Sequence, residues 1–225
     1  MAVIPSIYLV RYFYSKDSHK PEPVGLIIKV FFIGILSVIP VIIIEIILTA
    51  FFSNMSSFPL TFYFIEAFIV AGCCEEYIKL MVVKKYVYND EHFDEVMDGI
   101  VYTVVASLGF ACMENIIYVM SGDTSTAIMR AFTAVPLHAF ASGIMGYYIG
   151  KAKFAETPEE EEALTYKGLF IAIGIHGLYN FILFVSTDYG DGYFGFLIFP
   201  LLYFAFKTIK SHIKDAIDDD IAMGR

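Results

Sequence analysis

The stretch that decides the fold is IVAGCCEEYIKLMVVKKYVY, residues 69–88, an apolar run that contains two adjacent carboxylates and an amine. The carboxylates belong to Glu75 and Glu76 and the amine to Lys79, and Lys84 and Lys85 follow. A run of this length is typical of a membrane-spanning helix, in which each ionisable group needs a partner or a function.

The composition of the whole chain agrees with a membrane location. Its 225 residues are 58% hydrophobic and include 22 Phe, and the mean hydropathy is +0.67, whereas soluble domains contain about 45–50% apolar residues. We therefore predict a membrane protein. The net charge of −9 argues against a nucleic-acid partner, because neutralising phosphates requires a basic surface.

Several stretches are apolar enough to cross a bilayer, which takes about 20 residues per helix. They are residues 24–52, 59–84, 97–120, 127–150, 167–187 and 192–210. Residues 2–14 are a shorter candidate, either a first helix or an amphipathic segment in the interface. The sequence predicts an all-α polytopic bundle of about seven transmembrane helices in one domain, 1–225, with a short N-terminal helix and cytoplasmic segment in 1–23.

The distribution of Lys and Arg predicts the orientation, because short cytoplasmic loops collect positive charge. The basic segments are 11–23, 84–96, 151–167 and the C-terminal segment, with its tail 211–225. We predict that all of them are cytoplasmic. Within 151–167, the acidic run PEEEEAL, residues 158–164, resembles a helix start, but we predict a solvated loop there.

The cysteines give little information about function. Cys73, Cys74 and Cys112 lie inside apolar segments, so no disulfide framework is predicted. A cysteine nucleophile that works with a membrane histidine is an alternative, but nothing near the thiols activates them.

The glutamate pair is the first candidate for chemistry. Lys79 follows Glu75 by four residues and Glu76 by three, close enough on a helix to pair with either. The structural interpretation is an internal ion pair with one protonated glutamate. In the functional interpretation, Lys79 keeps one carboxylate ionised, and the other, desolvated and beside a like charge, acts as a general base.

Two further spans carry ionisable residues. Glu114 stands beside Asn115, and His138 follows Pro136. Proline loosens a helical backbone and can direct a nearby side chain into a cavity. Taken alone, each residue is more typical of a packing hydrogen bond than of a site. Arg130, at the outer boundary, either snorkels or pairs with one of the acids.

His176 and Asn180 lie four residues apart, one above the other on one helix face. Two interpretations explain this pair. The residues either form interhelical hydrogen bonds, or they supply a metal-binding imidazole and an amide that faces an oxyanion. At 1.5 Å per residue, Glu76, His176 and His138 lie about 12, 13 and 20 Å from the basic ends of their helices. Glu114 lies about 24 Å away and joins a site only if its helix begins higher or tilts.

Together, carboxylates and imidazoles on successive spans are ligands that Zn²⁺ accepts at catalytic sites, usually three from the protein with water as the fourth. The bound water becomes a nucleophile, and a glutamate can accept its proton. The sequence has no HExxH helix, so the site must assemble from separate helices. Glu45 and Glu66 stand outside any motif, and we predict structural or interfacial roles for them.

Four motifs resemble those of the PrsW-type intramembrane proteases, which are related to the membrane proteases that trim prenylated CaaX proteins. EEYIK, residues 75–79, fits the EExxK motif, FDEVMDGIVY and LGFACMEN resemble the second block, PLHAFASGIMGYYIG the third and HGLYN the fourth. The CaaX relatives have the pattern FxxxH where this chain has Phe110 to Glu114. The likeness covers nearly the whole chain in order.

The resemblance implies a bacterial cell-membrane endopeptidase that makes the first cut in a membrane-anchored anti-sigma factor, on the side away from the cytoplasm. Its partners would be this single-span substrate and membrane lipid. The implied site residues are Glu75, Glu76, Glu114, His138, His176 and Asn180, with Lys79 in support. A water-filled cavity that opens outward reconciles the outer cut with the depth of Glu76 and His176.

We predict a metal-dependent mechanism. The candidate zinc ligands are His138, His176 and one carboxylate, from Glu114, Glu75 or Glu76. A remaining glutamate would deprotonate the bound water for attack on a peptide carbonyl. Asn180 would assist the oxyanion, while Lys79 and Arg130 would support the carboxylates.

Three alternatives stay open at this point. In a metal-free mechanism, Glu76 activates water directly, and the histidines and Asn180 stabilise the tetrahedral intermediate. A non-catalytic membrane scaffold is the main alternative function. A proton- or ion-coupled transporter is the second, since intramembrane Glu and His chains also serve as proton relays.

Overall fold

The computed structural model describes residues 2–17, 20–188 and 193–224, which form helices joined by short connections. The helices are α1 (Ile4–Tyr14), α2 (Val24–Phe52), α3 (Pro59–Phe64), a π-helix (Ile65–Cys73), α4 (Cys74–Tyr86), α5 (Val96–Met120), α6 (Thr124–Phe132), α7 (Ala134–Lys153), α8 (Pro158–Asp188) and α9 (Ile198–Met223). Short 3₁₀ turns, Ser53–Ser57 and Phe194–Leu197, precede α3 and α9. The described residues contain no strand. Residue 192, where the last predicted span begins, lies outside them.

Among the described residues, four helical stretches are long and apolar enough to cross a membrane: Val24–Ser57, Val96–Met120, Pro158–Asp188 and Phe194–Met223. Helices α6 and α7, bent by 41°, make a fifth if the pair is one span. The 59–86 stretch is less apolar because its ionisable residues interrupt it. Helix α1 has 11 residues, about 16 Å, or half the hydrocarbon thickness. The membrane helix bundle is confirmed, and the number of seven helices stays a prediction.

Helix α5 forms the core of the bundle. Every residue from Val96 to Cys112 is buried, and α5 packs mainly against α7 and α2. A Cβ atom at Gly99 would overlap the backbone of Gly146 and Gly150 on α7. Small residues at such crossings let membrane helices approach closely, which replaces the hydrophobic drive that lipid cannot supply.

The basic segments lie together at one end of the bundle. The contacts that join them include Lys20 Nζ to Asp94 Oδ2 at 3.0 Å, Lys84 Nζ to Glu161 Oε1 at 2.9 Å, and the N–H of Val96 to Asp220 Oδ1 at 2.7 Å. Their common location is what the charge pattern requires. The side of the membrane that this end faces stays a prediction.

One segment differs from its prediction. The loop predicted for PEEEEAL is wrong, because α8 begins at Pro158 and its first turn contains three glutamates. Negative side chains are stabilised at that positive end of the helix dipole, and Glu161 also accepts a hydrogen bond from Tyr88 at 2.8 Å. The tail from residue 211 continues α9 as far as Met223.

Candidate active site

The helical stretch 59–86 changes its winding just before the glutamate pair. Residues Ile65–Cys73 are π-helical, and the regular α4 begins at Cys74. A π-helix has wider turns and frequently marks functional sites. Glu75 and Glu76 lie in the first turn of α4, and helical side chains lean toward the N-terminus of their helix. Both carboxylates therefore point back toward the π-helix.

Lys79 connects three of the predicted site residues. Its Nζ lies 3.1 Å from Glu75 Oε2, 2.8 Å from Glu76 Oε1 and 2.9 Å from His138 Nδ1. The side chain is fully buried. We expected Lys79 to hold one carboxylate and leave the other unpaired, but the three donors of one ammonium reach both.

Glu76 is enclosed by hydrogen-bond donors. Its Oε1 lies 2.9 Å from His176 Nδ1, and its Oε2 accepts from Ser142 Oγ at 2.8 Å. With Lys79, these groups occupy both carboxylate oxygens, and none of the residue is exposed. Because Nδ1 of His176 donates to Glu76, Nε2 is left as an acceptor, which is the arrangement that orients metal-binding histidines.

His138 lies just after the bend between α6 and α7, which meet at Thr133. Pro136, which lacks an N–H group, stands in the first turn of α7, where that loss is tolerated. His138 Nε2 lies 3.0 Å from Glu114 Oε2. Because an ammonium only donates, His138 Nδ1 accepts from Lys79, and Nε2 carries the ring proton beside Glu114.

Glu114 is also held by Arg130, whose Nη2 lies 3.0 Å from Glu114 Oε2. The same guanidinium donates from Nε to Asn115 Oδ1 at 3.0 Å. The depth estimate had separated Glu114 from the other residues. The structure brings it to His138 because His138 lies near the start of α7, and the Lys79 side chain, which leans toward the start of α4, spans the remaining distance.

Three of these residues could hold a metal ion. One nitrogen each of His138 and His176 and one carboxylate oxygen of Glu75 lie within 4.8 Å of one another. His176 Nε2 is 3.8 Å from Glu75 Oε1. Two imidazoles and one carboxylate are the donor set of many catalytic zinc sites. The residues present fit a divalent cation, with Glu75 as the carboxylate of the group, once His138 gives up one of its two contacts, that of Nδ1 with Lys79 Nζ or that of Nε2 with Glu114 Oε2.

A cavity of about 270 Å³ borders this group. Its wall includes Glu75, Glu114, Arg130, His138, His176 and Asn180. Asn180 follows His176 by one turn on α8, so both side chains face the same space. Glu76 and Lys79 lie behind this wall. The structure thus separates the predicted residues into a group that faces the cavity and a buried pair that holds it.

Two residues of the cavity wall were assigned other roles by the sequence reasoning. Glu45 and Glu66, for which we expected structural or interfacial roles, both line the cavity. Glu66 precedes Glu75 by nine residues, which an α-helix places on opposite faces. In the π-helical stretch, two turns take about nine residues, so the two glutamates share a face. A helical wheel assumes α-helical periodicity, so it cannot indicate a change to π-helical winding.

Comparison with known proteins gives a family. The sequence model of the "PrsW family intramembrane metalloprotease" matches residues 22–206. The chain is 36% identical over 208 residues to the Protease PrsW of Geobacillus kaustophilus, covering 92% of this chain and 88% of that protein. It is 36% identical over 208 residues to the Protease PrsW of Bacillus subtilis, covering 92% of each. It is 40% identical over 181 residues to that of Oceanobacillus iheyensis, covering 80% of each.

None of the solved structures matches the chain significantly. The same family is indicated by the motifs, the buried group of glutamate and histidines, the membrane helices and the curated relatives. The chain belongs to the PrsW family of intramembrane metalloproteases.

Proposed function

We propose that this protease makes the first cut in a single-span anti-sigma factor, with zinc bound by Glu75, His138 and His176. The observation that carries the proposal is the convergence of two imidazoles and a carboxylate, from separate helices, on a cavity inside the bundle. A zinc ion bound there would act as a Lewis acid and activate a water molecule. The anti-sigma factor follows from the motif resemblance.

In this proposal, the carboxylate of Glu114 accepts a proton from the water that attacks the peptide carbonyl. Glu114 suits this task because it faces the cavity and contacts His138. The Asn180 amide donates a hydrogen bond to the oxyanion that forms on the peptide. Arg130 holds Glu114 in place through their ion pair.

The buried residues position the others. Glu76 fixes the ring of His176 through Nδ1, so that Nε2 faces the cavity. Lys79 neutralises the glutamate pair. These roles replace the metal-free alternative in which Glu76 itself activates water, because Glu76 is sealed from the cavity.

The proposed orientation places the basic end in the cytoplasm, with the C-terminus on that side. The cavity wall includes Tyr118 near the end of α5 and Phe184 near the end of α8, so the cavity lies toward the opposite end of the bundle. A substrate then reaches the site from outside the cytoplasm. Membership of a protease family also favours cleavage over the scaffold and transporter alternatives.

The test measures zinc content and cleavage in the same preparations. Wild type, His176→Ala, Glu75→Gln and the control Glu160→Gln, an exposed acid, are purified in detergent and analysed for zinc. Each is also co-expressed with a single-span anti-sigma factor whose products are identified by mass spectrometry. We expect about one zinc per chain in wild type and control, loss of zinc in His176→Ala, and a fall in cleavage of about 10³-fold in Glu75→Gln.

Thermal unfolding of each variant shows that the effects are not caused by misfolding. A folded Glu75→Gln variant that cuts at the wild-type rate contradicts the assignment of Glu75 to the active site. Active wild-type protein without bound metal contradicts the zinc mechanism and leaves the protease activity intact.

A further inference from the structure

Two carboxylates in the cavity wall have no role in the proposed reaction. Glu45 comes from α2 and Glu66 from the π-helical stretch, and both line the same space as Glu75 and Glu114. Each is half-buried, so each side chain contacts the protein on one side and the cavity on the other. A group in this position touches whatever enters the cavity.

The carboxylates assigned to the reaction have cationic partners. Arg130 Nη2 lies 3.0 Å from Glu114 Oε2, and Lys79 Nζ lies 3.1 Å from Glu75 Oε2. A divalent cation on Glu75 adds further positive charge at the same place. The reaction centre is therefore compensated within the protein.

Glu45 and Glu66 have no such partner. In the part of the chain that the structure describes, Glu45 makes no ion pair or hydrogen bond. It lies close enough to Glu66, Glu75, Glu114 and Lys79 to interact with their charges, but Lys79 already pairs with Glu75 and Glu76. Glu66 Oε2 accepts only from the neutral hydroxyl of Thr49, at 3.0 Å. Its Oε1 is buried without a hydrogen-bond partner.

Carboxylates inside a membrane protein are costly and mark the paths of charged ligands when no residue compensates them. Glu45 and Glu66, which have no cation in contact, add their negative potentials in one confined space of low dielectric constant. The complementary ligand is an ammonium or a guanidinium group, which forms charge-assisted hydrogen bonds with carboxylates.

We propose that Glu45 and Glu66 bind a lysine or arginine side chain of the substrate. The enzyme then selects peptide segments that carry a basic residue close to the scissile bond, because Glu45 and Glu66 line the same cavity as Glu75 and Glu114. The inference rests on the proposed function, because the peptide must occupy the same cavity. Glu45 and Glu66 determine specificity and do not take part in the chemistry.

The test uses the full chain in proteoliposomes with single-span reporter peptides whose juxtamembrane residues are randomised. Mass spectrometry identifies the cut bonds. We expect wild type to enrich Lys and Arg near the cut about tenfold. The double variant Glu45→Gln with Glu66→Gln keeps the side-chain shapes and abolishes this enrichment, while Glu45→Lys shifts it to Asp and Glu. The control Glu159→Gln changes an exposed acid of α8 and keeps the wild-type pattern.

Two matched reporters, with Lys or Met at the selected position, separate binding from chemistry. For the Lys reporter, the double variant raises KM about tenfold with kcat unchanged, because a contact made equally in the ground and transition states affects KM alone. For the Met reporter, both constants stay at their wild-type values. If the double variant does not unfold like wild type on heating, the two single variants replace it.

The outcomes distinguish the two proposals. An active double variant with the wild-type preference for basic residues overturns the inference and leaves the proposed function in place. A wild-type enzyme that cuts no reporter, or a Glu75→Gln variant that cuts as well as wild type, overturns the proposed function and the inference with it.

Discussion

At Glu76, the Lys79 ammonium, the His176 imidazole and the Ser142 hydroxyl converge on one carboxylate. Ser142 also lies 2.8 Å from Ser107 Oγ, and Ser107 donates to a backbone carbonyl of α7 at 3.0 Å. These contacts join α4, α5, α7 and α8 at the level of the site. A substitution at Ser142, which does not line the cavity, is therefore expected to affect His176, which does.

Ser142→Ala tests this expectation. The substitution leaves a buried carboxylate oxygen without its donor, which costs about 1–3 kcal/mol, so the Tm in detergent falls by about 2–4 °C per kcal/mol. Because Glu76 orients His176, we also expect zinc affinity to fall about tenfold. The control is Ser53→Ala, whose exposed hydroxyl donates to Ala50 O, with an effect within about 0.5 kcal/mol. Equal effects of both changes on Tm and zinc affinity contradict the role of Ser142.

Among the elements, two helical segments leave regular α geometry where they carry site residues. The π-helix Ile65–Cys73 precedes the glutamate pair, and the bend at Thr133 precedes His138. The regular helices around them are fixed by close crossings, above all that of Gly99 with α7. The irregular segments orient the side chains, and the regular crossings keep the helices in register.

Gly99→Ala tests the crossing of α5 and α7. The added methyl group overlaps the backbone of Gly146 and Gly150, which cannot turn aside as a side chain can, so we expect a loss of about 1–3 kcal/mol or more. Gly174→Ala is the matched control, because a Cβ there meets no atom within 4 Å. It is expected to leave the Tm unchanged or to raise it slightly, since Ala is the better helix former. Thermal unfolding in detergent measures both, and a Gly99 variant as stable as the Gly174 variant contradicts the packing argument.

On the scale of the whole molecule, the two ends of the bundle differ in how they hold acidic residues. One end exposes carboxylates to a cavity. The basic end instead buries Asp17, Glu22, Glu95, Asp98 and Asp220. Burial, with the negative charges of Glu95 and Glu22, raises the pKa of Asp17 to about 7. This end therefore holds a proton that the unfolded chain releases at neutral pH.

The pH dependence of stability follows from Asp17. Its pKa is about 7 in the folded protein and 3.8 as the ordinary value, so the folded state binds the extra proton between these limits. Stability is then gained as pH falls from about 7 to 4 and lost as pH rises through 7. We expect Asp17→Asn to be more stable than wild type at pH 8 and to lose this advantage at low pH. Its facing groups are Glu22, Glu95 and Asp220.

Thermal unfolding of wild type and Asp17→Asn at several pH values measures this difference. Asp218→Asn is the control, because Asp218 is an exposed acid at the same end of the bundle. A constant difference in Tm between wild type and Asp17→Asn across this pH range contradicts the raised pKa.

The sequence predicts a feature of the structure best where that feature depends on a single helix. The apolar run 24–52 is α2, residue for residue, because a continuous apolar run of more than about 20 residues is typical of a membrane-spanning helix. The contact of Glu114 with His138 could not be predicted from the depth of each residue in the membrane. It depends on where α7 begins and on the direction of the Lys79 side chain. The position of Glu66 depends on a π-helix that no local sequence pattern predicts.

The hydrogen bond between Val96 N–H and Asp220 has a consequence for biosynthesis. The two residues are 124 positions apart, and Met97 N–H donates to the same carboxylate at 3.1 Å. At about 5–20 residues per second, a ribosome needs roughly 6–25 s to make the chain between them. During that interval the first turn of α5 has already been synthesised without the carboxylate that completes it. The enzyme therefore finishes folding only after α9 has been translated, and an unfinished nascent chain is expected to be a poor protease.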